Sequence, residues 1–311
     1  MKTQGKNRAE RYPISRYLNA RFAYWPSIAS DGRRIAFLAN ITGVSQVWQV
    51  QLSPGSDEVP WPDQLTFEAD RVIGVWFSPA PSDERLIYAR DLGGNEKAQF
   101  YVLHVGDSTE LPLTAGYEEA MHLFGEWSRD GTQVLFAANR RDPGHFDLYV
   151  QPLDGEARLV WRNDEPGYLR NLSFSPDGGR VVMTRMSSSF CHDLIEVDLD
   201  AGTARLISPS AEDTRYNSVC YAPDGRSLFL NTDLDSDYLH IVRLNLDDLT
   251  TEPVVSLEWD AELMALSPEG RYLAYAVNVE GASELRLLDL ADGRTRIAPG
   301  LSVPPGVVGM A

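Results

Sequence analysis

The sequence predicts an all-β protein, a β-propeller of four-stranded blades with six complete repeats and the start of a seventh. Three observations predict it: a recurring turn phrase, the even spacing of its copies, and the apolar runs between them. The phrase is a small residue or Ser, usually Pro, then an acid and Gly, followed by an aliphatic run. It stands at Ser30-Asp31-Gly32, Ser78-Pro79 (with an inserted loop to Asp83), Ser128-Arg129-Asp130-Gly131, Ser175-Pro176-Asp177-Gly178, Ala222-Pro223-Asp224-Gly225 and Ser267-Pro268-Glu269-Gly270. Anchors at 30, 78, 128, 175, 222 and 267 lie 48, 50, 47, 47 and 45 residues apart. A repeat of about 40–50 residues built from strands is one propeller blade.

Each repeat parses alike. An inner strand such as Tyr168 to Phe174 leads into the turn, where Pro presets φ and Gly tolerates positive φ. The second strand, Arg34 to Ala39 or Gln133 to Ala138, is apolar on both faces, as a strand sandwiched between neighbouring blades must be. A loop leads to an alternating third strand, as in Phe100-Tyr101-Val102-Leu103 or Asp147-Leu148-Tyr149-Val150. A short, more polar fourth strand ends the blade, for example Ala204 to Ile207. The expected blades are about 22–67, 70–115, 120–162, 167–209, 215–257 and 260–299, after an N-terminal extension over 1–20. Residues 303–311 are read as the start of a truncated seventh blade, with Val307 to Ala311 where its innermost strand would begin, so the propeller domain is read as 21–311. That segment either begins a further blade of a longer protein or is a loose end on a six-bladed ring.

Composition narrows the partners. The net charge of −17 makes nucleic acid and anionic membranes poor partners. Many acids fall in turns, where they serve solubility. The N-terminal residues carry no apolar core behind their basic charges, and no run reaches the roughly 18 apolar residues of a membrane span. A cytoplasmic protein is expected. Cys191 and Cys220 suit small buried roles rather than a disulfide framework.

Signatures of chemistry are missing from the motifs. Five Gly-x-Ser triplets begin at Gly43, Gly106, Gly225, Gly281 and Gly300, and none is followed by the second Gly of a nucleophile elbow. No catalytic residue, metal site or cofactor is therefore expected. Cys191-His192-Asp193 lies on strand-like sequence, whose adjacent side chains face opposite ways, so the three do not converge. Asp233-Leu234-Asp235-Ser236-Asp237 starts like a calcium loop but has Tyr238 where Gly is needed and Leu244 where Glu is needed. Glu118-Glu119 reads as a solvated loop, with capture of an amino terminus as the alternative. The loops between second and third strands are richer. Arg90, Asp91, Asn95 and Glu96 in one, and Arg140, Arg141 and Asp142 in the next, share a place in successive blades and therefore a face of the ring. They either brace their own loops or meet a ligand or another domain.

With these residues in view, the chain resembles the N-terminal propeller of prolyl oligopeptidase family serine peptidases, of the acylaminoacyl peptidase and dipeptidyl aminopeptidase type. The resemblance rests on Tyr17-Leu18-Asn19-Ala20-Arg21, Ile35 to Leu38, Thr42 to Trp48, Gln64 to Phe67, Arg90 to Glu96 and Asn139 to Pro143, and runs from Tyr17 to Ala311. It implies a seven-bladed ring capping a C-terminal α/β-hydrolase domain that carries Ser, Asp and His. The partners it implies are that hydrolase, in cis or in trans, and short peptides whose access the ring restricts. The chain departs from the pattern in lacking the hydrolase, so peptidase activity is expected only of a longer parent or a partner. The competing reading is a stand-alone TolB-like propeller scaffold that binds a protein or peptide.

Overall fold

The computed structural model describes residues 21–52, 60–210 and 213–297, together with Ile14. The expected extension over 1–20, apart from Ile14, and the expected seventh-blade segment over 303–311 lie outside the described residues. The architecture is a six-bladed β-propeller, each blade an antiparallel sheet whose four strands pair in chain order. Blade 1 comprises β1 (Ala23–Ile28), β2 (Arg34–Ala39), β3 (Gln46–Gln51) and β4 (Asp63–Gln64). Blade 2 comprises β5 (Val72–Phe77), β6 (Arg85–Arg90), β7 (Gln99–His104) and β8 (Thr109–Pro112). Blade 3 follows with β9 (His122–Trp127), β10 (Gln133–Asp142), β11 (His145–Pro152) and β12 (Arg158–Trp161). Blade 4 holds β13 (Tyr168–Phe174), β14 (Arg180–Met186), β15 (His192–Asp198) and β16 (Ala204–Leu206). Blade 5 holds β17 (Tyr216–Tyr221), β18 (Ser227–Thr232), β19 (His240–Asn245) and β20 (Thr251–Val255), and blade 6 holds β21 (Ala261–Leu266), β22 (Tyr272–Val279), β23 (Ala282–Asp289) and β24 (Arg294–Ile297).

The recurring phrase forms the hairpin between first and second strands. Its Gly sits at φ +66 in Gly32, +68 in Gly131, +73 in Gly178, +65 in Gly225 and +71 in Gly270, a region that a side chain strains to enter. The acid closes an Asx turn, as where Asp177 Oδ1 accepts the Gly179 N–H at 3.1 Å. In blade 1 the turn is in register with Ala29 rather than Ser30. The Ala29 carbonyl accepts the Gly32 N–H as the Ser128 carbonyl accepts that of Gly131, both at 2.9 Å. Every first strand also carries a register shift against its second strand, within its first three residues in blades 2, 5 and 6 and further toward the turn in blades 1, 3 and 4.

The core lies between blades rather than within them. On β10, Val134, Phe136 and Ala138 face blade 2 while Leu135 and Ala137 face blade 4, all fully buried. Five such clusters join blades 1–2, 2–3, 3–4, 4–5 and 5–6. None among the described residues joins blade 6 to blade 1. The residue before the turn shows the consequence: Phe77 and Trp127 are 5% and 6% exposed, whereas Ile28, in the same place on blade 1, is 64% exposed. An apolar flank of this kind associates with its like. The chain is therefore expected to self-associate with rising concentration, and Ile28→Lys to weaken that association without lowering Tm. Sedimentation velocity on both proteins tests it, and a strictly monomeric wild type contradicts it.

Candidate functional site

Antiparallel pairing divides the ring into two faces. The Ser-Pro-Asp-Gly turns lie on one, and the loops between second and third strands lie on the other with the connections between blades. The described chain also enters β1 and leaves β24 on this loop face. All seven residues singled out from the sequence lie here, at the ends of or after β6 and β10.

Their roles divide. Arg90 pairs with Glu68 at 3.1 Å and stacks on Tyr101, 4.6 Å from the ring centroid. Asp91 is buried; it accepts the Glu96 N–H at 3.3 Å and faces Arg71 at 3.4 Å. Arg140 lies over Tyr117, Phe136 and Tyr149, at 3.9, 4.8 and 5.1 Å from their centroids. Its Nε donates to His122 Nε2 at 3.0 Å. Burial and the Arg140 charge push His122 down to about 4, so it is a neutral acceptor that donates from Nδ1 to the Ala98 carbonyl at 2.9 Å. Arg141 forms a two-pronged pair with the buried Asp147, both contacts at 3.0 Å, and caps the Asn163 carbonyl. Asp142 closes its own turn on the Gly144 N–H at 2.8 Å. Asn95 and Glu96 are exposed, Asn95 accepting only the Lys97 N–H at 3.0 Å and Glu96 standing at φ +63. Both loops thus have braced bases; the first has an exposed tip at Asn95 and Glu96, while the second is closed by Asp142 on the Gly144 N–H and on His145 at 3.3 Å.

Other motifs resolve locally. Glu118 accepts the Gly116 N–H while Glu119 pairs with Lys97, so the two acids serve different partners. His192 accepts the Tyr216 N–H and Asp193 pairs with Arg185, which leaves Cys191-His192-Asp193 divergent. Asp233 pairs with Arg215 at 2.6 Å. No group of three or more His, Cys, Asp or Glu able to hold a metal ion occurs among the described residues, and no described helix is long and apolar enough to cross a membrane.

The loop face also gathers exposed apolar side chains that the motif reading passed over. Phe67, Leu92, Tyr117, Phe190, Tyr238 and Trp259 are 80%, 52%, 48%, 66%, 43% and 41% exposed, each on a loop-face connection. Blade alignment makes them legible, because all fall in connections that emerge on the loop face.

The turn face carries a second feature. The inner ends of blades 3 to 6 enclose a mouth of about 760 Å³, lined by Glu126, Ser173, Ser218, Cys220 and Met264, with Arg129 on the rim. Glu126 stands two residues before its turn, where the other blades have Ser27, Trp76, Ser173, Cys220 and Ala265. Its Oε1 accepts the Phe174 N–H of blade 4, as Ser27 Oγ accepts the Phe77 N–H of blade 2 at 2.8 Å. Sequence reading missed this residue, although its charge at an otherwise neutral repeat position was the available signal.

Burial pushes Glu126 up to about 7, against the opposing bonds from Phe174 N–H and Ser173, and pushes Cys220 up to about 12 with help from the Glu126 charge.

No protein-family model and no curated protein sequence matches the chain. Solved structures share its fold. Prolyl oligopeptidase B from Galerina marginata is 16% identical with a TM-score of 0.66, over 90% of this chain and 43% of that one. A puromycin-hydrolyzing peptidase of Mycobacterium tuberculosis is 16% identical with a TM-score of 0.67, over 91% of this chain and 47% of that one. Oligogalacturonate lyase from Vibrio parahaemolyticus is 16% identical with a TM-score of 0.66, over 88% of this chain and 76% of that one. These likenesses define the class as β-propeller. The chain spans less than half the length of the two peptidases it resembles.

Two outcomes follow from the geometry. Arg140→Ala, which strips a cation from three aromatic rings, is expected to cost about 1–2 kcal/mol, whereas Glu96→Ala stays within about 0.5 kcal/mol; urea unfolding of each variant measures the difference. The second concerns pH. Unfolded Glu126 ionises near its ordinary 4.5, and in the fold it holds its proton to about 7. Stability from this group is complete below 4.5 and is lost as pH rises through 7, by about 3 kcal/mol at most. Glu126→Gln keeps the acceptor for Phe174 but removes the titration. Its Tm relative to wild type should therefore rise between pH 5 and pH 8, and a pH-independent difference contradicts the assignment.

Proposed function

We propose that the chain is the non-catalytic propeller of a prolyl oligopeptidase-like serine peptidase, which docks an α/β-hydrolase domain on its loop face and restricts access to short peptides. The observation that carries this reading is the exposed apolar tips, Phe67, Leu92, Tyr117, Phe190, Tyr238 and Trp259, set among charged loops. Exposed apolar side chains rimmed by polar groups are the usual mark of an interaction surface. The described chain also enters β1 and leaves β24 on that face. The fold shared with prolyl oligopeptidase B and the puromycin-hydrolyzing peptidase, each more than twice as long as the matched region, supports the same reading. The seven charged and polar residues from Arg90 to Asp142 would then frame the docked domain or the entering peptide. A free-standing scaffold is the second reading, favoured by the fact that such a surface suits any protein partner.

The isolated chain is expected to hydrolyse neither acylated nor free-amino chromogenic peptides. Turnover abolished by a serine-directed inhibitor overturns the non-catalytic assignment. An α/β-hydrolase domain of a prolyl oligopeptidase-like peptidase added in trans should bind, and Phe67→Ser with Trp259→Ser should weaken that binding at least tenfold with Tm unchanged. Binding that ignores both substitutions moves the docking surface elsewhere.

A further inference from the structure

We propose that the turn-face mouth is a binding site for a small zwitterion of the dipeptide class, its ammonium on Glu126 and its carboxylate on Arg129. The site does not rest on the loop-face reading, since it uses the opposite mouth of the ring and this chain alone.

The mouth holds about 760 Å³, and both charged side chains line it together with Asp130 and Asp177. That is within the size range of small-molecule sites, and the lining is about as polar as apolar. Here Cys220, Met264 and Val219 supply the apolar part, and Ser173 and Ser218 supply hydroxyls.

Glu126 is a carboxylate without a cation. Its bonds come from the Phe174 N–H and the Ser173 hydroxyl, and it forms no salt bridge among the described residues. The same clamp on the following blade is made at blade 1 by a serine, so holding the blades together does not require a charge. A carboxylate kept in a poorly solvated mouth gains from an external ammonium, and a charge-assisted hydrogen bond is the strongest it can form there.

Arg129 is the complementary oddity. It occupies the turn position that Pro79, Pro176, Pro223 and Pro268 hold in other blades. It is exposed and has no ion-pair partner among the described residues, although most of this protein's arginines pair with acids. The acids beside it are committed: Asp130 accepts from Ser128 at 2.6 Å and Thr132 at 2.8 Å, and Asp177 accepts from Ser175 and Gly179. A guanidinium left free at a cavity rim fits a carboxylate in the two-pronged manner.

The spacing suits two residues of peptide. Glu126 and Arg129 are three positions apart, at most roughly 10 Å between Cα atoms at the strand rise of about 3.3 Å per residue. A dipeptide separates its end charges by a comparable distance at about 3.5 Å per residue, with the Arg side chain taking up the slack.

Alanyl-alanine titrated calorimetrically into the whole chain at pH 8 tests the proposal, beside its N-acetyl and C-terminal amide forms. Saturable binding is expected for the free dipeptide, with each blocked form at least tenfold weaker. Glu126→Gln retains the Phe174 acceptor and should bind the free and N-acetyl forms alike. Arg129→Pro restores the residue of the other turns and should bind the free and amidated forms alike. Thermal melts of both variants establish that they fold. Absence of saturable binding by wild type at millimolar dipeptide overturns the proposal, as does discrimination that survives in the two variants.

Discussion

Everything in this molecule depends on sheets burying their faces against the sheets beside them. A four-stranded blade has two apolar faces and no interior of its own, so each face must find a neighbour. The alternation along β6 shows it: Leu86 and Tyr88 pack toward blade 1, while Ile87 and Ala89 pack toward blade 3. A fully buried aliphatic or aromatic side chain contributes about 1.5–3 kcal/mol, and each interface holds nine or more buried apolar residues. An exposed ion pair on a loop contributes about 0–1 kcal/mol. The interfaces therefore decide the fold, and the loops are free to serve another purpose.

That division of labour explains the two faces. At the turn face, neighbouring blades are stitched close together. Arg85 donates to the Gly131 carbonyl at 2.9 Å and Arg180 to the Gly225 carbonyl at 3.0 Å, each reaching the next turn. A Cβ on Gly270 would come within 2.4 Å of the Pro223 ring, so the absence of a side chain is what lets those turns meet. At the loop face, connections are longer, and bracing runs from loop base to interblade segment, as in Arg141 to Asp147 and the Asn163 carbonyl. Beyond the braced bases, Phe67 and Phe190 remain in solvent, where nothing in the core needs them.

Much was legible from the residues alone. The anchors located six turns, and the run Gln133 to Ala138, apolar on both faces, already described a strand with neighbours on both sides. The first turn was misplaced by one residue because blade 1 has Ser30 where four other blades have Pro, so that Ser reads as the start of the phrase, and the Ala29–Gly32 hydrogen bond restores the register. The charged loops were found by density of Arg and Asp, but density does not separate roles. Arg140 and Arg141 are adjacent and alike in sequence. One is held by three aromatic rings and a neutral histidine, the other by a buried carboxylate.

What the sequence by itself determined is the repeat: blade number among the described residues, strand order, turn chemistry and the face on which each loop emerges. All of these follow from local pattern, because strand alternation and turn geometry are set by near neighbours in the chain. What only the tertiary structure decided is which side chains remain without partners. Glu126 and Phe174 are 48 positions apart, and a serine at the same repeat position makes the equivalent contact elsewhere. Whether a charge is spent within the fold or left open to the channel is a property of the assembled ring. The contacts that satisfy or strand it come from the next blade, a full repeat away in sequence.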